Sequence, residues 1–420
     1  MGGDHREHHD SHIADPGKEA RSASGIPIVP VFDGYRAFAI LGVVMLHLIT
    51  ISGVVGTGEG GDIARITWGT FGRAVEILFV VSGFVVFLPT VARGGDFGGV
   101  KPYAIRRAAR LLPAYWLVLV ISLILIGTVN LSQFDLSMPN LESLVTNFTG
   151  TQLPASLISS HISIGFFVNT PLWTLSVELG FYLVLPLIAV RYFRHPWIGL
   201  GIAAAITALW DYAFAHVFDI AKFLGLHPSF DEGYRIFLGS GAQLPVWAFS
   251  FGLGMTGAWV YVRLRSAPRT PEFRRAVLGV IVTSVGATLA LAWINGGYFD
   301  STHESLTLTM AFSAALGVAM TAIALGPPVI RRPFANTAVR RLGDISYGIY
   351  LSHMLFMIYL GDLLSLPKDG GASSLLAWMA VVLPCSIAFG YLSARFLEQP
   401  IRRWARRFGR GGAATRAAAD

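Results

Sequence analysis

Ten stretches constrain this chain more than anything else in it: 34–54, 70–90, 111–129, 171–190, 196–215, 242–262, 277–295, 305–326, 345–365 and 374–396. All are strongly apolar. Each is near the roughly 20 residues that an α-helix needs to cross about 30 Å of hydrocarbon. Lipid offers no partner to a backbone N–H or C=O, so such runs are expected to be helical. Composition agrees. Charged residues make up 14% of the chain, against roughly 25% in an average soluble protein. So few charges cannot cover a globular surface in water, which excludes a soluble enzyme, a coiled coil and a disordered chain. The single cysteine, Cys385, excludes a disulfide framework and a cysteine-built metal site within one chain.

Charge sets the expected orientation. With the N-terminus inside the cell, 26 of the 32 Lys and Arg residues fall in inner segments. Five fall in outer ones, and Arg36 lies within the first run. That is the asymmetry the positive-inside rule requires. It also explains the net charge of +7 without invoking nucleic acid. The predicted fold class is all-α, a polytopic membrane protein of about ten transmembrane helices with both termini cytoplasmic. Arg outnumbers Lys 28 to 4, as in high-GC bacteria, so a bacterial cytoplasmic (inner) membrane is the expected location.

Residues 1–29 read as a disordered cytoplasmic tail, 30–408 as the membrane domain and 409–420 as a second tail. His5, His8, His9 and His12 lie among acids in the first tail, where solvation is the simpler reading than a metal site. No secretory signal is seen before the first run. The long outer segment, 130–169, carries Asp135 and Glu142 but no Lys or Arg. Its length exceeds a simple connection.

Chemistry has to come from polar residues inside the spans. A charged side chain at a helix centre costs about 2.5–3.5 kcal/mol on insertion scales. The first run holds Asp33, Arg36 and His47. Asp33 and Arg36 are three apart and can pair. His47 lies about 16 Å beyond Arg36 along the helix. The second run holds Glu76. The fourth holds Glu178, with Trp173 and Ser176 as supporting candidates. The ninth holds Asp344, Ser346, Tyr347 and His353. Counted by depth, His47, Glu76, Glu178 and His353 share roughly one membrane layer. A His beside a carboxylate is a usual general-base arrangement, and Glu178 is the expected partner of His47. The plainer alternative for His353 is a packing residue bonded across helices. No spacing within a helix supports a metal site.

A second constellation precedes the third run, in KPYAIRRAARLLPAYW (101–116). Arg107 and Arg110 share a helix face, with Arg106 beside them. Such a cluster anchors topology. It also suits a phosphate, which guanidinium groups hold bidentately.

Across 30–408 the sequence resembles the acyltransferase-3 family of integral membrane O-acyltransferases. FDGYRAFAILGVVMLH resembles its opening block, with Arg36 and His47 eleven positions apart. AVEILFVVSGF, YAIRRAARLLPAYW, PLWTLSVELGFYLVLP, LGDISYGIYLSHMLF and FLEQPIRR follow in the family's order. Glu76 stands where the family commonly has Asp. The resemblance implies transfer of an acyl group, often acetyl, from acyl-coenzyme A to a hydroxyl of an envelope glycan, glycolipid or natural product. It implies that His47 is catalytic and that Arg107 and Arg110 serve the coenzyme A donor. Some members carry an added extracytoplasmic domain. None is seen here, so the membrane domain is expected to handle the acceptor.

Together these readings place the donor phosphates at Arg107 and Arg110 and the thioester near His47. His47 then acts as general base or as covalent acyl carrier, two routes that the sequence leaves open. Arg36 steers the donor or balances Asp33. Segment 130–169 offers acceptor contacts through Asn130, Gln133, Asn147, Phe148 and Thr149, or else caps the bundle. Lacking cations, it favours a neutral sugar. The competing function is a proton-coupled transporter or flippase, since buried His and Glu also relay protons. Transporters usually show matching halves with broken helices, and no such halves are seen.

Overall fold

The computed structural model describes residues 26–55, 61–131, 137–159, 161–162, 169–225, 239–296 and 306–409. Most of both expected tails, including the four N-terminal histidines, lies outside them, as do Gln133 and Asp135.

Among the described residues, each of the ten apolar runs carries a long helix. These are α1 (Pro30–Ile51), α2 (Ala74–Ala92), α3 (Val100–Thr128), α4 (Trp173–Arg194) and α5 (Pro196–Ala215). They continue as α6 (Leu244–Leu264), α7 (Pro271–Gly296), α8 (Leu306–Leu325), α9 (Thr337–Leu363) and α10 (Ala372–Ser393). Eight helical stretches are long and apolar enough to cross a membrane; α6 and α9 are not among them. The reason is their position. α6 packs against α2, α5 and α8, and α9 lies between α1 and α10. Helices walled by protein can carry Gly, Ser, Tyr and His where a lipid-facing helix needs aliphatic side chains.

Two apolar cores hold the bundle. One gathers around α2, α4, α6 and α8, with Phe84, Phe87, Leu185 and Met255 fully buried. The other joins α1, α3, α9 and α10 around Tyr115, Leu119 and Trp378. In lipid there is little hydrophobic drive between helices, so close backbone approach matters more. α2 and α6 meet through glycines: a Cβ on Gly254 would lie 2.1 Å from the Val80 carbonyl oxygen, and one on Gly83 would lie 2.2 Å from that of Phe251. Gly254→Leu should force the pair apart and destabilise the bundle by at least the ~1–3 kcal/mol typical of overpacking. Its melting temperature in detergent should fall well below that of the parent. An unchanged melting temperature would show that this crossing is not under steric control.

Segment 130–169 is partly helical, at Leu141–Thr149 and Gln152–Ser156. It is clamped to the bundle. Tyr115 Oη donates to the Asn147 carbonyl at 2.7 Å, Trp116 Nε1 to that of Phe148 at 2.9 Å, and Gln243 Nε2 to that of Leu153 at 2.7 Å.

Candidate active site

α1, α2, α3, α4 and α9 wall a partly open cavity. Its lining grades from basic to apolar along the helix axes. At one end stand Arg36 of α1, Arg107 and Arg110 of α3, Tyr182 of α4 and Ser346 of α9. At the other are Ile40, Leu78, Thr174, Leu175 and Tyr350. Contacts between antiparallel neighbours set this register: Arg107 lies over the Tyr182 ring at 5.6 Å, and Tyr350 Oη meets Thr174 Oγ1 at 2.6 Å.

Proline helps to build the basic end. Pro186 lacks an N–H, so the Tyr182 carbonyl four residues earlier has no helical donor. Tyr103 Oη of α3 donates to it instead, at 3.2 Å. That bond ties the start of α3 to α4 just where Arg107 and Arg110 enter. The expected pair on one helix face does reach the cavity together. Arg106, one position away, is not part of the lining. The Nε of Arg107 is buried and, among the described residues, has no hydrogen-bond partner. An unpaired buried donor is costly, and an anion in the cavity would satisfy it. Arg36 sits 3.7 Å from Asp33, the pairing expected from their spacing.

Glu178 also lines the cavity, but its partners differ from the one expected. Oε1 accepts from Tyr182 Oη at 2.5 Å and from Ser82 Oγ at 3.0 Å. The hydrogen bond of His47 goes instead to His353: Nδ1 of His47 lies 3.2 Å from Nε2 of His353. α1 packs closely along α9, where a Cβ on Gly343 would lie 2.5 Å from the Asp33 carbonyl oxygen. α4 faces α2 and its Ser82. Closeness of helices, which depth alone does not set, therefore decides the pairing. Glu76 pairs with Arg73 at 3.1 Å, both buried. Sharing a membrane layer thus does not bring the four groups together. Among the described residues no group of three or more His, Cys, Asp and Glu is placed to hold a metal.

The supporting candidates separate in the same way. Tyr347 lines the cavity, and its Oη donates to the Leu111 carbonyl at 2.8 Å. Ser176 is buried and donates to the Gly150 carbonyl at 2.7 Å, clamping segment 130–169. Trp173 packs on Trp247 and Phe79, behind the cavity wall. Asn147 is wholly buried, and its Nδ2 donates to the Ser143 carbonyl. Asn130 and Thr149 are exposed. Reading the sequence missed Ser82, Thr174, Tyr182 and Tyr350. Tyr182 was within reach of the i,i+4 rule from Glu178; the others depend on how separate helices meet.

His47 stands beyond the apolar end of the cavity, seven residues or about 10 Å along α1 from Ile40. His353 is fully buried. It is linked to the cavity through Tyr350, whose ring lines the wall and whose carbonyl lies 2.6 Å from His353 Nδ1. The cavity thus gathers three arginines and Glu178, and the imidazole pair lies outside its lining, beyond Ile40 and Tyr350.

Comparison with known proteins follows the same lines. The family model described as an acyltransferase domain matches residues 29–395. The chain is similar to the peptidoglycan O-acetyltransferase OatA of Listeria monocytogenes, 26% identical over 393 residues, covering 89% of this chain and 56% of that protein. It is similar to the acyltransferase MdmB of Streptomyces mycarofaciens, 27% identical over 394 residues, covering 89% and 92%. Nodulation protein 10 of Rhizobium leguminosarum is 26% identical over 334 residues, covering 78% and 81%. The chain therefore spans little more than half the length of the Listeria protein. No solved structure matches it.

Proposed function

This chain belongs to the acyltransferase-3 family of membrane enzymes, and we propose that it moves an acyl group, most simply acetyl, from cytoplasmic acyl-coenzyme A to a hydroxyl of an envelope glycolipid or glycan. The observation that carries this reading is the graded cavity. Arg36, Arg107 and Arg110 stand together at one end, and the His47–His353 pair lies beyond the other. The bias of Lys and Arg toward one side supports a cytoplasmic position for the basic end, in a bacterial inner membrane.

In this reading the coenzyme A phosphates pair with the cavity arginines, the unpaired Nε of Arg107 among their donors. The pantetheine arm runs along Leu78, Leu175 and Tyr350. The thioester comes to His47. There the acceptor oxygen bonds to the acyl carbon as the carbon–sulfur bond breaks. His47 takes the hydroxyl proton and returns it to the departing thiolate, or first carries the acyl group itself. The products on either route are the ester and free coenzyme A. Glu178, held by Tyr182 and Ser82, balances the arginine charge in the cavity.

A neutral sugar hydroxyl is the proposed acceptor. Among its supports are the absence of Lys and Arg from 130–169 and the similarity to the Listeria relative, a peptidoglycan O-acetyltransferase. Mass spectrometry of envelope lipids and glycans, with and without the intact gene, tests it. Loss of acyl groups from an envelope glycan is the expected result. Loss only from a small cytoplasmic metabolite would overturn the outward-facing acceptor.

A further inference from the structure

We propose that His353 is a positioning residue that fixes the tautomer of His47 and so makes Nε2 of His47 the reacting atom. The inference rests on the function proposed above and names the atom that function uses. Two distances carry it, in sequence along α9 and across to α1. His353 Nδ1 lies 2.6 Å from the carbonyl oxygen of Tyr350. A carbonyl can only accept, so Nδ1 of His353 bears the hydrogen. In a neutral imidazole the other nitrogen then has a lone pair and no hydrogen. That nitrogen, Nε2, faces Nδ1 of His47 at 3.2 Å. For the contact to be a hydrogen bond, Nδ1 of His47 must donate. The lone pair of His47 is left on Nε2, pointing away from the pair.

The burial pattern fits this division of labour. His353 is fully buried and has both ring nitrogens engaged, so it has no atom left for a substrate. His47 is only half-buried, and its contact with His353 is made through Nδ1. One histidine therefore orients and the other reacts, as when a third group holds a catalytic imidazole in its working tautomer. Here the orienting group is a second imidazole in place of a carboxylate. Glu178, committed to Tyr182 and Ser82, does not take that part. On the general-base route, Nε2 of His47 takes the acceptor's proton and passes it to the thiolate sulfur. On the covalent route, Nε2 bonds to the acyl carbon as the carbon–sulfur bond breaks. Both need the same lone pair.

The geometry also couples donor binding to this pair. Tyr350 presents its ring to the cavity, its hydroxyl to Thr174 and the Pro171 carbonyl, and its own carbonyl to His353. The orienting bond is thus anchored on a residue of the donor-cavity wall.

Two measurements test the proposal on the full-length protein in detergent or proteoliposomes. The first needs no turnover: histidine-selective 15N NMR of the wild type, with the His47 signals assigned by their loss in His47→Ala. The expected result is Nδ1 protonated and Nε2 unprotonated in His47. A protonated Nε2 in His47 would overturn the proposal. The second compares His353→Leu with His353→Gln, using acetyl-coenzyme A as donor. Leucine removes the acceptor; the glutamine amide oxygen can restore one at the position of Nε2. His353→Leu should lower kcat by about 10- to 100-fold, the usual effect of losing an orienting partner, with the KM for acetyl-coenzyme A essentially unchanged. His353→Gln should recover most of that loss. Equal activity of the two variants would overturn it, because a purely structural role would not separate them by hydrogen-bonding capacity. Failure of the parent protein to bind or use acetyl-coenzyme A would instead count against the proposed function, while the NMR result stands by itself.

Discussion

Changing His47 to alanine should abolish acyl transfer and leave the bundle assembled. Structurally the substitution removes little. His47 is half-buried, and its side chain makes one interhelical hydrogen bond, worth about 1 kcal/mol net. Chemically it removes the imidazole proposed to take the acceptor's proton or to carry the acyl group. Loss of a positioned general base costs about 10²–10⁴-fold in rate. Loss of a covalent carrier costs at least as much. Transfer of labelled acetyl from acetyl-coenzyme A in membranes is the measurement, with size-exclusion behaviour as the check on folding. Product formation comparable to the parent would sink the assignment of His47.

Replacing Arg107 and Arg110 together by alanine should weaken acyl-coenzyme A binding far more than it affects use of the acceptor. Each charge-assisted hydrogen bond to a phosphate is worth roughly 1.5–3 kcal/mol, so removing one costs about tenfold or more in affinity. The structure supplies a control that the sequence could not. Arg106 sits in the same basic cluster but does not line the cavity. Arg106→Ala should therefore leave donor affinity nearly as it was. Titration calorimetry with acetyl-coenzyme A distinguishes the cases. Unchanged affinity in the double variant would make these arginines topology anchors only.

Much of the site was legible along the chain because it depends on neighbours in one helix. Asp33 and Arg36 pair as their three-residue spacing requires, and Arg107 and Arg110 enter one cavity because that spacing puts them on one face. Pairing between helices was not legible. Depth in the membrane follows from counting residues, and it put His47, Glu76, Glu178 and His353 in one layer. It carries no information about which helices touch. Glu178 found Ser82 and Tyr182, Glu76 found Arg73, and His47 found His353. Segment 130–169 shows the same limit. Its polar residues read alike in sequence, yet Asn147 is wholly buried in the clamp to α3 while Thr149 is exposed.

Sequence alone determined that this is an all-α membrane protein, and where its long helices lie. Hydrocarbon thickness and the need to satisfy every backbone group leave a long apolar run almost no other choice. It also placed His47, Glu76, Glu178 and His353 within those runs. Only the tertiary structure decided how those groups divide the work. Contacts between helices depend on backbone approaches such as Gly254 on Val80 and Gly343 on Asp33, which join residues far apart in the chain. Those approaches set α1 against α9, close the cavity around Arg36, Arg107, Arg110 and Glu178, and give His47 a histidine as its partner where a carboxylate was expected.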